Sequence, residues 1–335
     1  MTLHSKSISC SQLHGDVLAT GSKDGTTVLW DIVTSSPVVS FCYDKKHDWQ
    51  QELPAARVEV TYLKLHSNLI AIGHDDGYVS IFNSSTGKFY GGYKDPANNS
   101  VVSIAFSTDK QIIIAFEYST VVCFNLPSQR CKYRVSNLHG LEEIIKMDCN
   151  PLFFVTSSYD KTLCCWEVET CSKIYVQTEH QDYISTFKLK GGQVVSCSGT
   201  EAKSWYVLSP ENSHEQVSTT LYGHQSQIYC VDFNDNFIAA GASDSTIIVW
   251  NSFGNILHRF TSRHVGVVRS LFLNGDFLVS GGDQKCICVW NVLTGKFLNQ
   301  VHRNPCSLRF MHVNDNKLVV VSHDDKNHIS VICYW

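Results

Sequence analysis

Three things recur in order along this chain: a short apolar run, a polar turn, and a second run rich in β-branched residues that closes on an aromatic. The clearest copy runs from Phe237 to Asn251, FIAAGASDSTIIVWN. An apolar run, a Ser-Asp-Ser turn and a Thr-Ile-Ile-Val run describe a tight β-hairpin. Further copies run from Leu18 to Asp31, Leu69 to Asn83, Ile112 to Asn125, Phe153 to Glu167, Val194 to Val207 and Phe277 to Asn291, with a looser one from Leu318 to Trp335. Within them the pattern predicts individual strands, for example Val58 to Leu65, Tyr78 to Asn83, Val101 to Phe106 and Thr120 to Asn125.

The aromatics closing the first seven copies are Trp30, Phe82, Phe124, Trp166, Trp205, Trp250 and Trp290, with gaps of 52, 42, 42, 39, 45 and 40 residues. A period near forty, with sequence for four strands per unit, predicts an all-β propeller of eight blades, seven being the alternative. One propeller domain then takes the whole length, 1–335, with the stretch 43–57 as an inserted surface loop. Trp335 falls at the end of a third strand, so the eighth blade is expected to be incomplete and a longer form to carry its closing strand.

The endings Leu29-Trp30-Asp31, Val249-Trp250-Asn251 and Val289-Trp290-Asn291 resemble those that name the WD repeats. In that family a His, a Ser or Thr, an Asp and the Trp form a hydrogen-bonded column inside each blade. The resemblance assigns His4, Ser22, Asp24 and Trp30 to the first column, and His139, Ser158, Asp160 and Trp166 to the fourth. The sixth has His224, Asp244 and Trp250 with Ala242 in place of the hydroxyl; the seventh has His264 and Trp290 with Gln284 where the Asp would stand. The fifth keeps His180 and Trp205 without a clear Asp. The enlarged last turn, Ser322 to His328, followed by an Ile-Ser-Val-Ile strand, is similar to the last blade of F-box/WD-repeat proteins.

Composition removes several functional classes. A net charge of −4 without a basic run argues against nucleic acid. No apolar stretch is long enough to span a bilayer and no signal-peptide core follows Met1, so a cytoplasmic or nuclear chain without membrane contact is expected. The 14 cysteines are scattered, several among Val and Ile, where Cys acts as a small hydrophobe. Cys286 and Cys288 share one side of a strand but lack a Cys-x-x-Cys partner pair, so no metal is expected. No glycine-rich phosphate cradle occurs, and no cofactor is expected. His, Ser and Asp recur with the repeat, as a structural column requires and a single hydrolytic centre does not. The chain is therefore read as a non-enzyme.

A propeller of this kind resembles a platform for other proteins. Its binding face would carry residues beside the turn Asp, namely Lys23, Asp75, Glu117, Tyr159, Asp283 and His323. Arg57, Glu59, Glu143, Tyr183, Gln227 and Arg303, which lead into the inner strands, complete the candidate set. The acids favour a partner bearing Lys or Arg, and the two tyrosines are of the type that carries interface energy. Resemblance to F-box/WD-repeat proteins narrows the expectation to a substrate receptor of an SCF-type cullin-RING ubiquitin ligase, with ligase subunits as partners. The alternative is a structural subunit of a stable multiprotein assembly.

Overall fold

The computed structural model describes residues 3–42, 58–207, 218–261, 266–283, 286–303, 307–313, 317–323 and 329–333. The loop expected at 43–57 thus lies outside the described residues. The described elements are strands, grouped in eight antiparallel sheets of consecutive strands: 8–42, 60–94, 101–135, 144–177, 184–221, 228–260, 268–303 and 307–333. Seven sheets have four strands and the last has three. The fold is an all-β, eight-bladed β-propeller, and the hairpins fall where the recurring pattern places them. Leu69–His74 pairs with Tyr78–Asn83, and Phe237–Ala242 with Ile247–Asn251.

The chain divides into two compact units, one of residues 1–144 and 324–331, the other of residues 145–323 and 332–335. In the first unit the strand Ile8–His14 lies beside Val60–His66, which lies beside Val101–Thr108. In the second, Ile184–Lys190, Ile228–Phe233, Val268–Asn274 and Ser307–Val313 follow one another in the same way. In these five pairs the first strands of consecutive blades lie side by side.

Two bulges recur. One falls in the first strand, between Ile8 and Cys10, Val60 and Tyr62, Ile184 and Thr186, Ile228 and Cys230, and Val268 and Ser270. The other falls where the third strand reaches its aromatic, at Trp30, Phe82, Phe124, Trp166, Trp250 and Trp290. A bulge bends and twists its strand, which re-aims the side chain there. The residue held in the first bulge bonds two blades at once. Ser9 Oγ donates to the carbonyls of Gly21 and Val60, Thr61 Oγ1 to Gly73 and Val101, and Ser185 Oγ to Cys197 and Ile228.

The core lies between neighbouring sheets, because each sheet is apolar on both faces. Cys10, Ala19 and Leu29 pack with Val60, Leu63 and Ile72; Ala239, Ile247 and Val249 pack with Val268, Leu271 and Trp290. In four blades, at Gly21, Gly73, Gly241 and Gly281, the second strand carries a glycine where the next blade's first strand presses on it. A Cβ on Gly241 would stand 2.6 Å from Val268 Cγ1, and one on Gly21 the same distance from Val60 Cγ1. The described cysteines are all free.

Candidate protein-binding face

The buried column of the first blade fixes the turn that belongs to this face. Trp30 Nε1 donates to Thr20 Oγ1 at 2.8 Å, and Thr20 Oγ1 lies 2.8 Å from His4 Nε2. His4 Nδ1 lies 2.7 Å from Thr26 Oγ1, which donates to Asp24 Oδ1 at 2.5 Å. Since the Thr26 hydroxyl proton goes to the carboxylate, Nδ1 carries the ring proton and Nε2 is the acceptor. The Thr20 hydroxyl gives its proton to that nitrogen rather than to the Val28 carbonyl, which is 3.4 Å away. Every hydrogen along Trp30, Thr20, His4, Thr26 and Asp24 thus points the same way.

Burial lowers the pKa of His4, against the pull of Asp24, so the ring stays neutral. Burial also pushes the Asp24 carboxyl up, but the hydroxyl and N–H of Thr26, the Ser5 N–H and the His4 ring outweigh it and hold it at about 2.

This geometry corrects the assignment of the hydroxyl. Ser22 is not in the column; its Oγ donates to the Lys6 and Ser7 carbonyls and accepts the Asp24 N–H, bracing the turn from outside. The same correction applies to Ser158, which accepts the Asp160 N–H, while Trp166 Nε1 donates to Thr156 at 2.9 Å. Asp160 takes both the N–H and the hydroxyl of Thr162. His139 is buried, and its backbone N–H donates to Ser119 Oγ at 2.6 Å.

In the sixth blade Asp244 holds Thr246, and Thr246 Oγ1 lies 3.1 Å from His224 Nδ1. The residue missing its hydroxyl there is Ala240, which occupies the place of Thr20, rather than Ala242. As a result Trp250 Nε1 turns to the Tyr222 carbonyl, and the buried His224 Nε2 has no partner. Trp290 Nε1 donates to Ser280 Oγ at 2.8 Å; His264 and Gln284 lie outside the described residues.

The fifth blade has a carboxylate after all, because Glu201 Oε1 lies 3.2 Å from His180 Nδ1 while His180 Nε2 lies 2.8 Å from Ser196 Oγ. Ser196, His180 and Glu201 have the order of a hydrolytic triad. Ser196 is fully buried, however, so no substrate carbonyl can reach its oxygen. The sequence reading missed Thr20, Thr26, Thr156, Thr162, Thr246 and Glu201. The signal was present as Asp-x-Thr, at Asp24 to Thr26, Asp160 to Thr162 and Asp244 to Thr246.

The turns and the lead-ins to first strands share one end of the sheets. The N–H of Lys23 donates to the Ser7 carbonyl, Asp75 to Glu59, Glu117 to Ser100, Ser243 to Gln227 and Asp283 to Val267, at 2.9 to 3.1 Å. Five equivalent turn positions are thereby fixed at one level of their blades.

In the first unit Lys23 Nζ lies 3.7 Å from Glu59 Oε2, and Lys94 Nζ 3.2 Å from Asp76 Oδ2. Asp75 Oδ1 accepts the Glu59 N–H. Burial, with the carboxylates of Asp76 and Glu59 alongside, raises the Asp75 pKa. Lys23, Glu59 and Asp75 are therefore brought together, but with lysines answering two of the acids in this sector. Glu117 is half-buried at its turn, and Glu143 is exposed.

In the second unit Tyr159, Tyr183 and Gln227 are brought together. The two rings are 5.9 Å apart and tilted by 42°, and Gln227 Nε2 donates to the Tyr183 hydroxyl at 2.6 Å. Tyr159 is 52% exposed. Asp283 pairs with Arg269 at 2.5 Å, which leaves its charge answered. Arg57 lies outside the described residues, as do the side chains of Arg303 and His323. Tyr229 and Asp182, both exposed on this part of the second unit, were not among the expected residues.

Bladed sheets, third strands closed by Trp or Phe and the His-Thr-Asp column together define the propeller. The family model described as WD domain, G-beta repeat, matches residues 1–31, 215–251 and 254–291. WD repeats are thus found in the first, sixth and seventh blades of this eight-bladed propeller.

It is similar to the guanine nucleotide-binding protein subunit beta-1 of Caenorhabditis briggsae, 31% identical over 127 residues, 37% of each chain. It also matches the guanine nucleotide-binding protein G(I)/G(S)/G(T) subunit beta-1 of Homarus americanus, 30% identical over 36% of each chain. A weaker likeness is to Protein SPA1-RELATED 3 of Arabidopsis thaliana, 22% identical over 71% of this chain and 28% of that one. The chain thus spans about a third of the length of the curated relatives it matches. Among solved structures, the computationally designed Ika8 protein superposes with a TM-score of 0.79 over 99% of this chain and 98% of that one, at 22% identity. That likeness is one of fold.

Proposed function

We propose that the chain is a non-enzymatic scaffold of the cytoplasm or nucleus, which presents the turn end of its blades to partner proteins. A WD40 propeller fits a protein-interaction scaffold, and its family binds other proteins. The observation that carries the reading here is the Tyr159–Tyr183 pair. The Tyr159 ring is exposed, the half-buried Tyr183 ring lies against it, and Gln227 braces the Tyr183 hydroxyl. Tyr side chains lose little freedom on binding and offer both apolar area and a polar tip, so they commonly anchor interfaces.

The narrower reading is a substrate receptor of an SCF-type cullin-RING ubiquitin ligase. It is supported by the resemblance of the last turn and strand to F-box/WD-repeat proteins. The second reading, a subunit of a stable assembly, is favoured by a different observation. Phe253 and Leu293 occupy equivalent outer turns of two blades and are 82% and 64% exposed, and two relatives are named as subunits.

Affinity purification of the tagged chain, beside Tyr159→Ala/Tyr183→Ala and Phe253→Asp/Leu293→Asp variants, separates the two readings. Loss of partners from the tyrosine variant alone supports the scaffold face. Retention there with loss from the Phe253 and Leu293 variant makes the chain an assembly subunit held by its rim. Ligase subunits among the partners of the unaltered chain support the receptor reading, and their absence removes it.

A further inference from the structure

The second unit covers several of its aromatic faces with lysines. Lys146 Nζ stands 5.2 Å from the centre of the Phe187 ring, Lys173 Nζ 4.8 Å from Trp166 and Lys190 Nζ 5.3 Å from Phe233. Tyr159 and Tyr183 have the same electron-rich faces, and among the described residues no cation stands over either. We propose that these two rings seat an arginine side chain from a partner polypeptide, with Asp182 as its counter-charge. This deepens the scaffold reading and rests on it.

The site is preorganised. The Tyr183 hydroxyl accepts the Gln227 amide at 2.6 Å, which holds its ring at 42° to Tyr159. Asp182 precedes Tyr183 directly; its Oδ1 accepts the Tyr183 N–H at 2.8 Å, and its carbonyl accepts Ser198 Oγ at 2.7 Å. Asp182 is exposed, and its Oδ2 has no partner among the described residues. The one lysine of this turn, Lys161, donates from Nζ to the Gln181 carbonyl at 3.0 Å, so its charge is held on the backbone. A planar guanidinium can lie on one ring while its edge donates to a carboxylate; a compact ammonium cannot do both as well. The chemistry of the seat therefore selects arginine in a partner segment.

The test uses two fluorescein-labelled heptapeptide pools, random except at the centre, where one carries arginine and the other its neutral isostere citrulline. Fluorescence polarisation with the full chain is expected to show the arginine pool binding about threefold to thirtyfold more tightly. Tyr159→Leu and Asp182→Asn should each bring that ratio to within about twofold, whereas Tyr159→Phe, which keeps the ring face, should preserve it. Equal binding of the two pools, binding of neither, or a preference untouched by Tyr159→Leu and Asp182→Asn overturns the proposal. Should partners in the affinity experiment depend on the tyrosines while no arginine preference exists, only the arginine seat fails and the scaffold face stands.

Discussion

The hydrogen-bonded column makes a sharp demand on Thr20. Its hydroxyl accepts from Trp30 Nε1 and donates to His4 Nε2, each at 2.8 Å, and Trp30 is 1% exposed. Thr20→Val keeps the branched shape and removes the oxygen, stranding a buried donor and a buried acceptor together. Each stranded group costs about 1–3 kcal/mol. Relaxation of the ring and gain of an apolar contact return part of that, so the expected loss of stability is about 2–4 kcal/mol. Ser22→Ala is the control, because Ser22 braces the turn from backbone groups outside the column; its loss should cost about 1 kcal/mol. Urea unfolding followed by far-ultraviolet circular dichroism gives both values. Exchange of the Trp30 indole proton, read by NMR, should quicken in Thr20→Val and not in Ser22→Ala. A Thr20→Val protein no less stable than Ser22→Ala, with the indole proton still protected, would refute the column as drawn.

The sixth blade offers the reverse experiment. Ala240→Ser supplies the hydroxyl that His224 Nε2 lacks, as Ser280 does for Trp290, and should raise stability by about 1 kcal/mol in the same assay. Gly241→Ala places a Cβ 2.6 Å from Val268 Cγ1 and 2.8 Å from Val268 Cβ. The expected cost is about 1–3 kcal/mol, and Val268→Ala in the same chain should recover part of it, a coupling that a double-mutant cycle measures. Acid should act through buried imidazoles. Burial lowers His74 and His224 from 6.5 to about 4, so the unfolded chain binds protons at these sites before the folded one does. Their contribution is complete above pH 6.5 and is lost as pH falls toward 4, on the order of 3 kcal/mol each. Asp24, held at about 2, adds a further loss below pH 3.8. Urea midpoints that stay flat between pH 7 and 4.5 would contradict the imidazole argument.

The repeating hairpins, the eight-fold count and the closing aromatics were legible in the sequence, because each depends on neighbours within about fifteen residues and on the alternation a strand imposes. The strand Tyr78–Asn83 and the hairpin from Phe237 to Asn251 needed nothing more than their own residues. Column chemistry was half legible. Asp24 and His4 stood out, yet Ser22 looked as suitable a hydroxyl as Thr20, since both lie in one strand and are buried to the same degree. Only the register, which sets Thr20 rather than Ser22 between the ring of His4 and the indole of Trp30, decides between them.

The face followed the same division. The sequence located turn positions such as Lys23, Asp75 and Tyr159, but it did not show that Lys23 and Lys94 answer neighbouring acids, or that Arg269 answers Asp283. Nor did it show that Tyr183, from the next blade, closes on Tyr159 while Gln227, from the blade after, fixes its hydroxyl. Tyr159, Tyr183 and Gln227 are 24 and 44 residues apart in the chain. Nothing local couples them. They meet because consecutive blades pack on one another, Ile184–Lys190 against Phe153–Ser158 and Ile228–Phe233 against Ile184–Lys190 and Gln193–Ser198. The sequence by itself determined which segments become blades; the packing of blade on blade decided which side chains share a site, because that contact is made between residues about forty apart.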